Sequence, residues 1–224
     1  MVQVVIESLS LVLAFGMGLR AFQSMSLLHK TFFFQLVAYI LIFILAIVVK
    51  LIAYANNVPP YNQWVYNLYM PIETGILVWA GFEYFKNSGK RFLIYVGYLI
   101  FLTIFISEIC VKGIMILSNH GYVAEGILLL VIYLLLLYSQ FTKSNNAWKR
   151  SPEIWISLGI VLYFGGSIPY LTLMNYLQES HSAINQFLFY FIIDGLANVR
   201  YLLLGLGFWL IYRQAVTKTS LVNE

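Results

Sequence analysis

Residues 32–55 read FFFQLVAYILIFILAIVVKLIAYA, and Lys50 is the one charged residue among them. A helix that crosses a bilayer needs about 20 consecutive, mostly apolar residues. This stretch is therefore long and apolar enough to span a membrane without help from the rest of the chain. It predicts a helical membrane protein.

The composition of the whole chain agrees with that prediction. The 224 residues are 61% apolar and 10% charged, and the mean hydropathy is +0.83. Soluble domains contain roughly 25% charged residues. After the membrane spans are counted, little chain is left for connections. We therefore expect no soluble catalytic, nucleotide-binding or DNA-binding domain.

Six further apolar runs resemble the first one. Together they predict an all-α bundle of seven transmembrane helices, forming a single domain over residues 1–224. The uninterrupted apolar run Ile127–Tyr138 supports a separate fifth span. The predicted spans lie at about 4–22, 32–55, 63–85, 92–116, 121–142, 153–177 and 184–212.

The positions of the basic residues predict the orientation of the bundle. Cytoplasmic loops are enriched in lysine and arginine, and ten of the thirteen bases fall at one end of the predicted helices. We therefore expect an outside N-terminus and a cytoplasmic C-terminus in a bacterial inner membrane. Because topology accounts for the positive net charge, no nucleic-acid partner is expected. The ten bases are Arg20, Lys30, Lys86, Lys90, Arg91, Lys143, Lys149, Arg150, Arg213 and Lys218.

The cysteine and histidine content restricts the possible chemistry. Cys110 is the single cysteine, which excludes an internal disulfide, and we expect its thiol to be buried in the fourth span. His29, His120 and His181 fall on different connections or helix ends, so no paired-histidine metal site can be written. We predict no metal site and assign no catalytic residue.

Several acidic residues fall within or near the predicted spans. Glu7 and Glu125 are expected near the outer surface, where water can solvate them. Glu108 and Lys112 are spaced i, i+4 with the acid first, which is the favourable order for an ion pair on a helix. These residues need no functional explanation.

Glu73 and Asp194 are harder to explain as surface residues. Each lies about ten residues into its span, and so roughly 15 Å deep at about 1.5 Å per residue. We expect both near the membrane midplane, at the same level. Polar residues share their helical faces, which predicts a polar seam between the third and seventh helices. The candidate binding residues on the two helices are Tyr66, Asn67, Tyr69, Glu73, Asp194, Asn198, Arg200 and Tyr201.

Arg200 is expected to pair with an acid, because an unpaired charge inside a membrane is costly. Glu73 or Asp194 is its nearest plausible partner. Two acids and one base leave one carboxyl group in surplus, and burial favours its protonated form. A site for a proton, a cation or a small ligand is one interpretation. A hydrogen-bonded cluster that only fixes the third helix to the seventh is the other.

The seven-helix plan resembles that of the microbial rhodopsins. In that family the last helix carries an aspartate four residues before the lysine that holds retinal, and the sixth carries a proline. Asp194 and Pro169 match these positions, but Asn198 stands at the lysine position. The resemblance thus implies a shared fold without covalent retinal, and no cofactor is expected.

A closer resemblance is to a broad family of seven-helix membrane proteins of Bacteroidetes-type bacteria. It rests on Asn67–Glu73, on Ser151–Gly159 followed by Tyr163–Gly166, and on Asn198–Gly207. This resemblance implies a bacterial host and a seven-helix fold. It implies no particular mechanism.

These observations favour a receptor- or sensor-type membrane protein that binds a small ligand or proton and acts through a cytoplasmic or membrane partner. A small proton- or ion-coupled transporter or channel would use the same residues. A membrane-embedded enzyme acting on a lipid or isoprenoid is left open but not favoured, with Glu73 as its proton donor. A structural subunit is also left open. For any of these functions, membrane lipids are expected partners, and assembly into a homo-oligomer is left open.

Overall fold

The computed structural model describes residues 2–59, 62–143, 150–180 and 187–222, and all regular structure in these ranges is helical. Lys149, His181 and positions 184–186 of the predicted seventh span lie outside them. The helices are α1 (Val2–Ala21), α2 (Leu27–Ala55), α3 (Gln63–Tyr84), α4 (Lys90–Lys112), α5 (Asn119–Lys143), α6 (Pro152–Ser180) and α7 (Gly195–Val222). A 3-10 turn, Phe22–Ser24, follows α1, and a π-helical turn, Phe189–Asp194, leads directly into α7.

Five helical segments in the described ranges are long and apolar enough to cross a membrane. This confirms the prediction of a multi-pass helical membrane protein. Neither α1 nor α3 is among the five. In α3, the polar residues Asn67, Glu73 and Thr74 lower the mean hydropathy of the helix. The five are Leu27–Ala55, Lys90–Lys112, Asn119–Thr142, Pro152–Leu173 and Phe189–Thr217.

The outer surface of the bundle is rich in large apolar side chains. Leu51, Phe92 and Val111 are 62%, 71% and 84% exposed, as expected for groups that face lipid. Cys110 is also exposed, so the expectation of a buried thiol is wrong. Its helix, α4, packs against α3 and α5 and leaves its other side open.

Local capping explains where several helices begin and end. The second helix starts five residues before its predicted span because Ser26 caps it, accepting a bond from the backbone N–H of His29 at 3.4 Å. The fourth helix ends at Lys112, before its predicted limit at residue 116. Gly113 follows it with a φ of 80°, a conformation that suits a residue without a Cβ.

The third and seventh helices pack against different neighbours in the bundle. The third helix contacts α2, α4 and α5, while the seventh contacts α1 and α6. Large apolar and aromatic side chains fill the space between them. The largest fully buried ones include Phe32, Leu77, Tyr133, Tyr201 and Phe208.

Two glycines allow α7 to approach its neighbours closely. A Cβ added to Gly159 of α6 would lie 3.1 Å from the backbone oxygen of Arg200. A Cβ added to Gly205 of α7 would lie 3.2 Å from the Cα atom of Ala14 on α1. The close contact at Gly159 fixes the position of the backbone that carries Arg200.

Candidate functional site

An ion pair joins α3 to α7 in the interior of the bundle. The Nη2 atom of Arg200 lies 2.5 Å from Oε1 of Glu73, and the two side chains are 4% and 9% exposed. The prediction that Arg200 pairs with an acid is confirmed, with Glu73 as the partner. The pair holds together residues 127 positions apart in sequence.

A side chain from α2 completes this ion pair. The amide nitrogen of Gln35 donates to Oε1 of Glu73 at 3.0 Å and to the hydroxyl oxygen of Tyr69 at 3.0 Å. Gln35 is itself buried. The sequence reasoning missed Gln35, although it is the one amide in an otherwise apolar span. We call Gln35, Tyr69, Glu73 and Arg200 the core network.

Aromatic rings surround the guanidinium group of Arg200. Its Cζ atom lies 5.1 Å from the ring centre of Tyr163, 5.5 Å from that of Phe164 and 5.8 Å from that of Tyr201. Cations are attracted to ring faces at such distances. The rings therefore stabilise the buried charge and exclude water from it.

Glu125 is a second buried acid next to the core network. It is 0% exposed, so the expectation that it is solvated at the outer surface is wrong. Its helix, α5, packs against α3, α4 and α6. Oε1 of Glu125 lies 2.6 Å from the hydroxyl oxygen of Thr74. Among the described residues no hydrogen-bond partner reaches Oε2.

Asp194 has different neighbours from Glu73. It lies at the end of the π-helical turn and interacts electrostatically with Lys50 and Glu7. Within the described ranges no hydrogen bond joins it to Glu73. Its backbone oxygen accepts a bond from the side chain of Asn198 at 2.8 Å.

Asn198 and Glu7 take part in contacts near the end of the bundle where α1 and α7 begin. The side-chain oxygen of Asn198 accepts a hydrogen bond from Ser10 at 2.8 Å, joining α7 to α1. Glu7 accepts one from the hydroxyl of Tyr39 at 2.6 Å. The ring of Tyr39 contacts that of Tyr201 in a tilted arrangement, with 4.9 Å between the ring centres. These contacts link this end of the bundle to the core network through Tyr201.

The remaining candidates on α3 have separate roles. The side-chain nitrogen of Asn67 donates to the backbone oxygens of Ile114 and Ile116, at 2.7 Å each. Its oxygen accepts from the backbone N–H of Ser118 at 3.0 Å. Asn67 therefore clamps the connection between α4 and α5. Tyr66 is half-buried and lies within electrostatic range of Glu7 and Asp194.

Glu108 belongs to the same connection. Lys112 Nζ lies 2.6 Å from it, which confirms the predicted ion pair. Glu108 also accepts hydrogen bonds from the hydroxyl of Ser118 at 2.6 Å and from the backbone N–H of Gly121 at 3.0 Å. His120 Nδ1 lies 2.9 Å from it. With all these partners, Glu108 serves to fold the connection.

A second polar cluster lies near the starts of α2 and α6, at the end of the bundle where most of the described bases are found. His29 Nε2 on α2 lies 3.1 Å from Oε1 of Glu153 on α6, and Ser151 donates to the other carboxylate oxygen at 2.7 Å. A cavity of about 600 Å³ lies beside them and is bordered by Gln140 and Gln214. No sequence pattern connects His29 with Glu153, because the two residues lie on different helices.

Groups of three or more His, Cys, Asp or Glu residues placed to hold a metal ion do not occur in the described part of the chain. The chain matches no family model, no curated protein and no solved structure. The function has to be argued from the core network itself.

Proposed function

We propose that this chain is a receptor- or sensor-type protein of a bacterial inner membrane, in which the core network responds to a proton or small ligand. The observation that supports it is the buried Glu73–Arg200 ion pair, which joins α3 to α7 and receives Gln35 from α2. Ionisable groups at membrane depth are costly and commonly functional.

The same proposal includes seven spans with the N-terminus outside. The described bases Arg20, Lys86, Arg91, Arg150 and Arg213 lie at one end of the helices. At the other end Lys112 is paired with Glu108. An excess of bases in cytoplasmic loops supports placing that basic end in the cytoplasm.

The core network is suited to switching because it has one base and more than one nearby acid. Changing the charge of Glu73 or of Glu125 changes how strongly Arg200 is held. Arg200 is only 4% exposed, so little water surrounds its charge. In such surroundings electrostatic interactions are only weakly screened. A charge change at the core would then alter the ion pair that joins α3 to α7.

The output would pass to a partner. The described connections at the basic end between α1 and α2 and between α3 and α4 contain five residues each or fewer outside regular helix. Connections of that length cannot form a domain with its own activity. We therefore place the signal in a movement of helix ends that a cytoplasmic or membrane partner recognises.

Paired spin labels test this proposal directly. Asn87 and Val216 are exposed near the basic ends of α3 and α7, so cysteines at both positions can be labelled in a Cys110→Ser background. In lipid nanodiscs, we expect the distance distribution between the labels to change over a titration from mildly acidic to mildly alkaline solution.

Two variants give this experiment its control. Glu73→Gln should abolish the response, because Arg200 then has no charged partner on α3. Glu83→Gln should retain the response. Glu83 lies on the same helix as Glu73 but pairs at the surface with Lys86, at 3.0 Å. A wild-type distribution that is unchanged by pH, or a response that persists in Glu73→Gln, would contradict the proposal.

A small proton-coupled transporter is the second candidate. It is favoured by polar contacts at three successive levels along α2: Tyr39 with Glu7, Gln35 with Glu73, and His29 with Glu153. Proton transfer across a membrane uses such series of groups.

Proteoliposomes containing a pH-sensitive dye separate the two candidates. A transporter would acidify the vesicle interior when an inward proton gradient is applied. In that case, the variant Gln35→Leu would acidify the interior more slowly than the wild type. With a sensor, the interior pH would change only as fast as in protein-free vesicles. The spin-label response would still be observed.

A further inference from the structure

We propose that Glu125 holds a proton in this conformation, which makes it a proton-binding site beside the Glu73–Arg200 ion pair. This inference deepens the proposed function, since it names the residue on which a sensed proton would reside. The sequence had placed the surplus acid at Glu73 or Asp194.

The first argument is the count of hydrogen atoms around Thr74. The hydroxyl oxygen of Thr74 lies 2.7 Å from the backbone oxygen of Met70 and 2.6 Å from Oε1 of Glu125. A hydroxyl group has a single hydrogen to donate. It can therefore satisfy one of these two oxygens, and the other contact needs a hydrogen from elsewhere.

The helix backbone decides which contact Thr74 satisfies. A threonine inside a helix commonly donates to the carbonyl oxygen four residues earlier, and Met70 occupies that position. The contact with Glu125 then needs its own hydrogen, which a protonated carboxyl group supplies. In that arrangement Glu125 donates and the hydroxyl oxygen of Thr74 accepts.

The second argument is the environment of the other carboxyl oxygen. Oε2 of Glu125 is fully buried and has no hydrogen-bond donor among the described residues. An ionised carboxylate in such a place would pay the full cost of losing water. The carbonyl oxygen of a neutral acid tolerates the same place far better.

The third argument is the charge of the surroundings. Arg200 is the cation that faces Glu125, and it is already bound to Glu73. The phenols of Tyr122 on α5 and Tyr163 on α6 also lie within electrostatic range of this acid. A second carboxylate would therefore add an uncompensated negative charge.

Loss of this proton has a defined consequence. The acid would become a carboxylate as its proton leaves to water, and two carboxylates would then compete for Arg200. The contact between Glu73 and Arg200 would weaken. Proton release at α5 would in this way be transmitted to the ion pair that joins α3 to α7.

Infrared spectroscopy of the whole protein in nanodiscs tests the inference. A protonated carboxyl group has a carbonyl stretching band that an ionised carboxylate lacks. At neutral pH we expect the wild type to show such a band, Glu125→Gln to lose it, and Glu83→Gln to keep it. Bands from other buried acids should persist in all three proteins.

A second variant covers the case in which Glu125→Gln fails to fold. Thr74→Val removes the hydroxyl oxygen that accepts the hydrogen bond from protonated Glu125. The band of Glu125 should therefore shift in frequency without disappearing. Absence of an acid band from the wild type, or a band unchanged in both variants, would overturn the inference. The result is independent of the spin-label response, because a band can be present in a protein that does not signal.

Discussion

At the scale of single residues, burial decides which charges matter. The Lys86–Glu83 pair is 56% and 23% exposed, and such pairs contribute about 0–1 kcal/mol. The Glu73–Arg200 pair is almost fully enclosed. Breaking a buried pair leaves an uncompensated charge, and this costs about 3–5 kcal/mol.

A double-mutant cycle measures that difference. We expect Glu73→Gln and Arg200→Met each to lower the free energy of unfolding by about 3–5 kcal/mol. The double variant should lose much less than the sum, because neither charge is then left alone. Unfolding in mixed detergent micelles provides the measurement.

The surface pair serves as the matched control for this cycle. Glu83→Gln with Lys86→Met should show a coupling of less than about 1 kcal/mol. Strictly additive losses for Glu73→Gln and Arg200→Met would show that the two side chains do not depend on each other.

Part of this site was predictable from sequence. An arginine within an apolar span requires a partner, and that requirement identified Glu73 in advance as one of two candidates. Counting depth along the helix failed for Glu125, because distance from a helix end does not say which neighbours cover it. Gln35 was missed because a single amide in an apolar run carries no periodic signal.

At the scale of helices, the contact between α6 and α7 positions Arg200. The chain has no side chain at Gly159, and the backbone of α7 occupies the space that a Cβ would need. Adding even one methyl group to a well-packed contact displaces its neighbours.

Substitution of Gly159 tests this contact. We expect Gly159→Ala to lower the free energy of unfolding by about 1–3 kcal/mol through overpacking and to weaken the pH response of the spin labels. Gly16 on α1 has open space where its Cβ would lie. Gly16→Ala should therefore be neutral or stabilising, by up to about 1 kcal/mol. Equal effects of the two substitutions would contradict the role of close packing.

The helices themselves were largely predictable, and their ends less so. Apolar runs correctly located seven helices, because lipid-facing and buried positions are both apolar. The start of α2 depends on the cap at Ser26 and the end of α4 on Gly113. Such local contacts involve one or two residues and are weak signals in a sequence dominated by apolar runs.

At the scale of the whole molecule, the distribution of charge sets the expected orientation. Asn57 lies in the connection that precedes α3 and Asn87 in the connection that follows it, and both are exposed. In a Cys110→Ser background, a membrane-impermeant thiol reagent applied to spheroplasts should label a cysteine at position 57 and leave one at position 87 unlabelled. The reverse pattern would invert the proposed topology, and permeabilised cells provide the control for reactivity.

The π-helical turn at Phe189–Asp194 has a consequence for how this chain tolerates change in length. A π-helical turn accommodates one residue more than an α-helical turn over the same rise. In a regular helix, removing one residue would rotate the two flanking segments by about 100° relative to each other. The turn can absorb such a loss by becoming α-helical. Deletion of Phe191, which is 70% exposed, should therefore leave Arg200 facing Glu73, whereas deletion of Val199 within α7 should not. The turn thus marks the place where the seventh helix can lose a residue during evolution without separating its ion pair.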